Sequence, residues 1–172
     1  MRALEFRRHT ASDGDVLTPE GIEAARAIGQ RLTGPYHVMV STGAQRATQT
    51  LACMLAAMQP QPGRVGVDER FRSEVEDEWR AAYAEAGAGD LASFLRVAPD
   101  LVESEAKRFG EAARDLLSQL GEGERALVVG HSPMHEATVY GLTGTIVGPL
   151  AKGGAVVILE TEGNLRIEHL DP

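Results

Sequence analysis

The chain has 172 residues, of which 43% are hydrophobic and 24% are charged, a composition typical of one soluble globular domain with a single core. Its formal net charge of -8 disfavours nucleic acid and anionic membrane surfaces as partners. The sequence shows no secretory signal and no apolar run of membrane-spanning length, so we expect a cytoplasmic protein, and its single cysteine excludes an intramolecular disulfide.

Short apolar runs alternate along the chain with longer segments of 3.6-residue period, which predicts an α/β fold with a mostly parallel sheet. The first predicted strand covers Ala3–Phe6. Thr18 then marks the start of a helix as its N-cap, with Pro19 in the first turn. A second strand, Tyr36–Val40, leads into a helix that ends near Met58.

After this helix comes a short predicted strand at Arg64–Val67. The stretch 68–99 is the least regular part, rich in charge, alanine and glycine, and we interpret it as a cap-like excursion of short helices within a single domain, 1–172. A long amphipathic helix is predicted over Leu101–Leu120, followed by a buried strand at Arg125–Val129. A further helix follows Pro133, and the strands Ala155–Glu160 and Leu165–Leu170 form a terminal hairpin.

Three predicted strands end in side chains suited to phosphate, in the segments Arg7–Thr10, Ser41–Arg46 and Gly130–Ser132. Ligands of open α/β sheets bind beyond the carboxyl ends of the strands, and arginine offers a planar fork for phosphate oxygens. Adjacent strand positions face opposite ways, so we expect Arg7 to lie outside the site. The side chains expected to meet around one anion are Arg8, His9, Arg46 and His131.

Four segments, in order, resemble motifs of the histidine phosphatase (phosphoglycerate mutase-like) superfamily. They are Arg8–Thr10, the first-helix segment Leu17–Gly21, the Arg-Ala-x-Gln-Thr segment within Ser41–Thr50, and the late Gly-His within Val129–Pro133. The short loop after His9 and the small size are most like the compact phosphohistidine-phosphatase branch. The resemblance implies a three-layer α/β fold, with helices on both faces of a mostly parallel sheet, and a phosphatase that needs neither metal nor cofactor.

The resemblance also assigns roles to the clustered residues. His9 is expected to attack phosphorus and form a phosphohistidine intermediate that water hydrolyses; it must be unprotonated, and Arg8 and Arg46 lower its pKa in the required direction. A backbone carbonyl that holds the proton of the other ring nitrogen would fix the tautomer. Arg8 and Arg46 clamp the phosphoryl oxygens, and His131 and Ser132 bind the phosphate.

Two positions depart from the family pattern. Thr10 replaces the usual glycine after the nucleophile, so the backbone there approaches phosphate less freely. The position of the family's acid, a glutamate, aligns with Ser73. Glu74, one residue away, is our candidate proton donor ahead of Glu76, although a run of charges such as 74–78 is equally typical of a solvated face.

Alternatives remain open at this point. His131 and His135 have the spacing of a zinc site on one helix face, but Pro133 places His131 before the helix and no glutamate lies between the two histidines. A phosphoglycerate-type mutase is a second alternative, against which the short loop and the acidic excursion argue. A non-catalytic phosphate-binding regulatory module is a third, motivated by Thr10 and the displaced Glu74.

The expected partner is a phosphorylated small molecule or a phosphohistidine protein. A phosphorylated imidazole is already a good leaving group and needs no strong acid. The lack of a clear carboxylate donor therefore favours phosphohistidine.

Overall fold

The structure, a computed structural model, describes residues 1–172 and contains eight strands and six α-helices. The strands are Arg2–Arg8 (β1), Ser12–Asp13 (β2), Val16–Leu17 (β3), Val38–Ser41 (β4), Arg64–Val67 (β5), Arg125–Gly130 (β6), Ala155–Thr161 (β7) and Asn164–Leu170 (β8). The helices are Pro19–Arg31 (α1), Gln45–Ala57 (α2), Glu76–Ala86 (α3), Leu91–Val97 (α4), Pro99–Ser118 (α5) and Met134–Thr143 (α6), and a 3-10 turn covers Glu69–Phe71. No helix combines the length and the apolar character that a membrane span requires.

Six strands form one sheet in the order β5-β4-β6-β1-β7-β8. The first four are mutually parallel, whereas β7 runs antiparallel to β1 and β8 runs antiparallel to β7. The register sets Arg8 beside Gly130 and Ser41 beside Val129. The carboxyl ends of β4, β6 and β1 therefore meet at one edge of the sheet, as the sequence predicts.

Helices cover both faces of this sheet, which confirms the predicted three-layer architecture. Side chains of successive strand residues alternate between the faces, so Ala126 and Val128 pack in one core cluster and Leu127 in the other. The first cluster lies against α5 and the second against α1 and α2; both consist almost entirely of buried aliphatic and aromatic side chains.

The segment after β1 folds back onto α1. Thr18 caps this helix as predicted, its Oγ1 accepting a hydrogen bond of 3.1 Å from the Gly21 amide. The Thr18 amide in turn donates to the Ala11 carbonyl at 3.1 Å. Gly21 is required by this contact, because a Cβ there would lie 2.0 Å from the same carbonyl oxygen. The two-residue strands β2 and β3 form a small ribbon in this segment, which the sequence pattern does not reveal because such short strands carry no periodicity.

Residues 68–99 contain the 3-10 turn, α3 and α4. The turn packs into the first core cluster through Phe71, whereas α3 and α4 pack on α5 and α6 through a third cluster. Trp79 and Phe94 meet edge to face, with ring centroids 5.3 Å apart. Both belong to a cluster that includes Phe109 of α5 and Met134 of α6. The short helices thereby form a wall beside the start of α6, which begins three residues after His131.

Candidate active site

Two histidines and an arginine from three strand ends meet at the edge of the sheet. His9 follows β1 and its amide donates to the Gly130 carbonyl at 2.9 Å, which continues the ladder with β6. His131 follows β6, and the two imidazole centroids lie 5.2 Å apart. Arg46, in the first turn of α2, directs its Nε to His9 Nε2 at 3.2 Å. The structure therefore brings together three of the residues that the sequence singled out.

The two ring nitrogens of His9 have different partners. Nδ1 lies 2.8 Å from the Thr10 carbonyl oxygen and donates its hydrogen to it, while Nε2 accepts from Arg46. Burial, together with the charges of Lys152, Arg46 and Arg8 and against the opposing effect of the Thr10 carbonyl, lowers the pKa of His9 to about 4. The ring is thus neutral at neutral pH, with its lone pair on Nε2.

His131 is also held neutral. It is 8% exposed, and burial, followed by the charge of Arg46, lowers its pKa to about 2. Its Nδ1 is buried and has no hydrogen-bond partner within the protein. A neutral imidazole donates one hydrogen bond without adding charge, which suits a ligand held by the neighbouring arginines.

Arg7 and Arg8 point to opposite sides of the sheet edge. Arg7 is 4% exposed, pairs with Glu5 at 2.7 Å and donates from Nη1 to the Gly153 carbonyl at 2.5 Å. Arg8 donates from Nη1 to the Leu150 carbonyl at 2.6 Å, and its Nε is buried without a partner. Burial, assisted by the charge of Arg46 and opposed by Glu136, lowers the pKa of Arg8. Arg8 therefore faces the cationic cluster and Arg7 does not.

Thr10 ties the segment after His9 to α2. Its amide donates to Thr50 Oγ1 at 3.2 Å, and the two hydroxyl oxygens lie 3.3 Å apart. Thr50 Oγ1 also donates to the Arg46 carbonyl at 2.8 Å. The Thr10 side chain is thus accommodated next to α2, and its amide is engaged there, which links the positions of His9 and Arg46.

A cavity of about 250 Å³ opens beside Arg46 and His131. Its other lining residues come from the cap-like segment and the start of α6: Arg72, Ser73, Glu76, Trp79, Arg80, Tyr83, Phe94, Ser132, Pro133 and Met134. A lining that combines polar and charged side chains with aromatic ones is typical of a small-ligand site.

Glu74, the predicted proton donor, does not line this cavity; it lies in a neighbouring open groove with other charged residues. Ser73 is 6% exposed and its Oγ accepts from the Val75 amide at 3.1 Å. Glu74 itself is exposed, so its side chain is directed to solvent. Of the two glutamates considered, Glu76 is the one at the cavity, where it pairs with Arg72 Nε at 3.0 Å.

The site includes a cation to which the sequence analysis assigned no role. The amide of Gly153 donates to the carbonyls of Arg8 and His9, at 3.2 Å each, so the preceding Lys152 is anchored next to His9. Burial, then the charges of Arg8 and Arg46, lower the pKa of Lys152. The position of a lysine just before a glycine pair and a strand is a weak signal, because only folding brings β7 beside β1.

Two further residues escaped the sequence analysis. Arg72 lines the cavity but belongs to no motif. Glu136 is 1% exposed, and its Oε1 accepts from Ser132 Oγ and from the Leu150 amide, the latter at 2.8 Å. Burial raises the pKa of Glu136.

The proposed zinc spacing does not produce a ligand cluster. His135 is fully buried, its Nε2 lies 3.1 Å from the Arg7 carbonyl oxygen, and burial lowers its pKa to about 3. The structure contains no group of three or more His, Cys, Asp or Glu side chains arranged to hold a metal ion. His131 therefore lines the cavity, whereas His135 lies against the Arg7 carbonyl, and the two do not form a metal site with a third ligand.

Comparison with known proteins identifies what this arrangement is similar to. The family model of the histidine phosphatase superfamily (branch 1) matches residues 4–152. No curated protein sequence matches significantly.

Several solved structures share the fold. Phosphoserine phosphatase from Entamoeba histolytica, in complex with 3-phosphoglyceric acid, has a TM-score of 0.74 at 17% identity and covers 100% of this chain and 98% of its own. Phosphoglycerate mutase from Bacillus anthracis has a TM-score of 0.69 at 15% identity, covering 98% and 92%. The protein histidine phosphatase SixA complexed with tungstate has a TM-score of 0.62 at 17% identity, covering 98% and 96%. At these identities the similarity concerns the fold.

Proposed function

This chain belongs to the histidine phosphatase superfamily, and we propose that it is a phosphatase that hydrolyses its substrate through a phosphohistidine intermediate on His9. The superfamily includes phosphatases and mutases among the structural relatives. The proposal has three parts: the reaction is hydrolysis, the substrate is a small phosphomonoester, and the individual residues have the roles given below.

The observation that carries the proposal is the pair of hydrogen bonds on the His9 ring. Nδ1–H is held by the Thr10 carbonyl at 2.8 Å and Nε2 is turned to Arg46 at 3.2 Å. A histidine nucleophile needs one unprotonated ring nitrogen and a fixed tautomer. Nε2 meets this requirement at the point where a guanidinium can hold the phosphoryl oxygens.

In the first step, Nε2 attacks phosphorus in line and the bond to the leaving oxygen breaks. In the second step, water attacks the phosphohistidine, releases phosphate and restores the ring. Arg8, Arg46 and Lys152 supply the positive charge that opposes the phosphate's negative charge, and neutral His131 adds a hydrogen bond. Charge stabilisation by such preorganised donors is the main catalytic resource in phosphoryl transfer.

The cavity beside Arg46 supports a small leaving group. Its volume of about 250 Å³ and its walls of Trp79, Tyr83 and Phe94 suit the organic part of a small phosphomonoester. The absence of an acid near position 73 favoured phosphohistidine from the sequence. The structure adds a buried carboxyl group, Glu136, next to the cavity-lining Ser132, which favours phosphohistidine less.

The direct test compares wild type with His9→Ala on p-nitrophenyl phosphate. We expect phosphate release by wild type, loss of turnover in the variant, and an acid-labile, base-stable phosphoryl label on wild type that is absent from the variant. Unchanged turnover in His9→Ala contradicts the proposed nucleophile. A folded wild type that binds phosphate without releasing it from any ester supports the non-catalytic module instead.

Two further assays separate the remaining alternatives. Incubation with 3-phosphoglycerate and a bisphosphate primer tests the mutase, for which isomerisation would exceed free phosphate. Phosphohistidine offered as a free amino acid and in a protein tests the second substrate class. We expect the small phosphomonoesters to be turned over with the higher kcat/KM, because a walled cavity restricts the approach of a protein surface.

A further inference from the structure

A buried carboxyl group lies directly behind a hydroxyl that lines the cavity. Glu136, in the first turn of α6, is 1% exposed, and its Oε1 is the acceptor for Ser132 Oγ and for the Leu150 amide. Its Oε2 is buried and has no hydrogen-bond partner within the protein. Ser132 itself lines the cavity together with Arg46 and His131. The serine hydroxyl thus connects the buried carboxyl with the space beside the nucleophile.

The cavity has no other carboxyl group suited to donate a proton. Ser73 occupies the position of the expected acid, and its hydroxyl is engaged with the Val75 amide. Glu76 is the only acidic residue in the cavity lining, and its carboxylate pairs with Arg72 at 3.0 Å. An ionised carboxylate is an acceptor only, so this pair does not supply a proton to an alkoxide.

We propose that Ser132 gives the proton to the leaving oxygen and that Glu136 replaces it. This inference rests on the proposed function, because it completes the same reaction. As Nε2 of His9 forms its bond to phosphorus and the ester P–O bond breaks, the leaving oxygen takes the Ser132 hydroxyl proton. With Glu136 protonated, its carboxyl hydrogen points to Ser132 Oγ, the reverse of the hydrogen bond that an ionised Glu136 accepts from Ser132, and Ser132 Oγ takes this proton in the same step.

The second step returns the proton. When water attacks the phosphohistidine, the new P–O bond forms and the N–P bond breaks. The proton lost by water passes to Ser132 Oγ, and the Ser132 proton passes to Glu136. One ester and one water have become one alcohol and one phosphate, and both side chains regain their starting states.

The surroundings of Glu136 suit this role. Burial raises the pKa of its carboxyl group, which keeps a larger fraction protonated than at an exposed site. Arg8 is the charged group that faces it, from the end of β1, and this charge acts in the opposite direction together with the hydrogen bonds from Ser132 and Leu150. Enzymes tune glutamate upward in this way when it must act as an acid.

The test uses two substrates with similar bodies and different leaving groups. p-Nitrophenolate leaves without a proton, whereas the alkoxide of benzyl phosphate requires one. We expect Ser132→Ala and Glu136→Gln to lower kcat for benzyl phosphate by about 10²- to 10⁴-fold, and to leave kcat for p-nitrophenyl phosphate within about tenfold. Thr138→Ala, which removes a buried hydroxyl bonded to the Met134 carbonyl of the same helix, is the matched control and should change neither.

The pattern of outcomes separates this inference from the proposed function. Equal losses on both substrates in Ser132→Ala and Glu136→Gln overturn the relay and indicate a structural role only. A wild type inactive on both esters overturns the proposed function itself. Ser132→Thr, which keeps the hydroxyl, should recover benzyl phosphate turnover.

A pH profile gives a second, independent readout. The relay requires a protonated Glu136, so wild-type kcat for benzyl phosphate should fall on the alkaline side as the carboxyl ionises. Ser132→Ala should lack this limb, and so should Glu136→Gln if it folds. An unchanged alkaline limb in Ser132→Ala contradicts the relay even if Glu136→Gln does not fold.

Discussion

The guanidinium of Arg46 is shared between His9 and Asp15. Its Nε lies 3.2 Å from His9 Nε2, and its Nη1 lies 3.1 Å from Asp15 Oδ1. Asp15 belongs to the turn of the β2–β3 ribbon, half exposed to solvent. Without substrate, therefore, a carboxylate of the protein occupies part of the arginine that a phosphate would need.

Asp15→Asn should strengthen phosphate binding. Removing the carboxylate frees Arg46 Nη1 for the ligand, and an exposed ion pair contributes up to about 1 kcal/mol, or about fivefold in affinity. We therefore expect the inhibition constant of inorganic phosphate to fall severalfold. Asp13→Asn changes the same charge in the same ribbon without a contact to Arg46 and serves as control. Weaker inhibition in Asp15→Asn than in Asp13→Asn would show that Asp15 supports the arginine rather than competes for it.

Arg46→Lys should lower kcat strongly while it preserves the charge. Lysine loses the planar fork that can hold two phosphoryl oxygens, and the loss of one such donor costs about 2.7–4 kcal/mol, or about 10²- to 10³-fold. Steady-state kinetics with p-nitrophenyl phosphate measure the effect. Arg31→Lys, in the last turn of α1, provides the same exchange away from the cavity, and comparable activity of the two variants would contradict the assignment of Arg46.

The acidic limb of the activity should lie near pH 4. The pKa of His9 is lowered to about 4, and protonation removes the lone pair of Nε2, so kcat/KM should fall only as the pH approaches that value. Lys152→Gln removes a cation that lowers this pKa, so its limb should shift to higher pH. The profile is measured with p-nitrophenyl phosphate and corrected for ionisation of the substrate. Lys107→Gln, on α5, is the matched control, and an identical shift in both variants would count against the role of Lys152.

His135 should make the protein less stable in acid. Its folded pKa of about 3 lies below the ordinary 6.5, so below pH 6.5 the unfolded chain binds the additional proton. The free energy of unfolding should therefore decrease as the pH falls from 6.5 towards 3, by up to about 1.4 kcal/mol per pH unit from this residue. Urea denaturation of wild type and His135→Gln checks this, since the variant should show the shallower decrease; parallel curves would contradict it.

Close packing of α5 on α6 should make Gly141 intolerant of a side chain. A Cβ there would lie 1.8 Å from the Ala106 carbonyl oxygen, so Gly141→Ala must push the two helices apart. Overpacking of this kind costs about 1–3 kcal/mol or more, which thermal or urea denaturation measures. Gly66→Ala, where a Cβ meets nothing within 4 Å, should unfold like wild type. Equal stability of the two variants would exclude the close contact.

Much of the fold and half of the candidate site follow from local sequence patterns. The alternation of buried strand residues indicates which face each one takes, and it correctly separates Arg7 from Arg8. Thr18 and Pro19 mark the start of α1 because capping and proline placement act within a few residues. The sequence also predicts that the segments containing His9, Arg46 and His131 meet at one edge of the sheet, because a parallel sheet aligns the carboxyl ends of its strands.

Contacts between distant parts of the chain were decided by tertiary structure alone. Lys152 is beside His9 only because β7 pairs with β1. Counting from the family position could not show which carboxyl group lies at the cavity, because Ser73 is buried and Glu74 is exposed. The importance of Glu136 depends on its burial beneath Ser132, and burial is a property of the packed molecule. Local propensity and periodicity are encoded along the chain, whereas desolvation and the meeting of charges arise only when its distant parts come together.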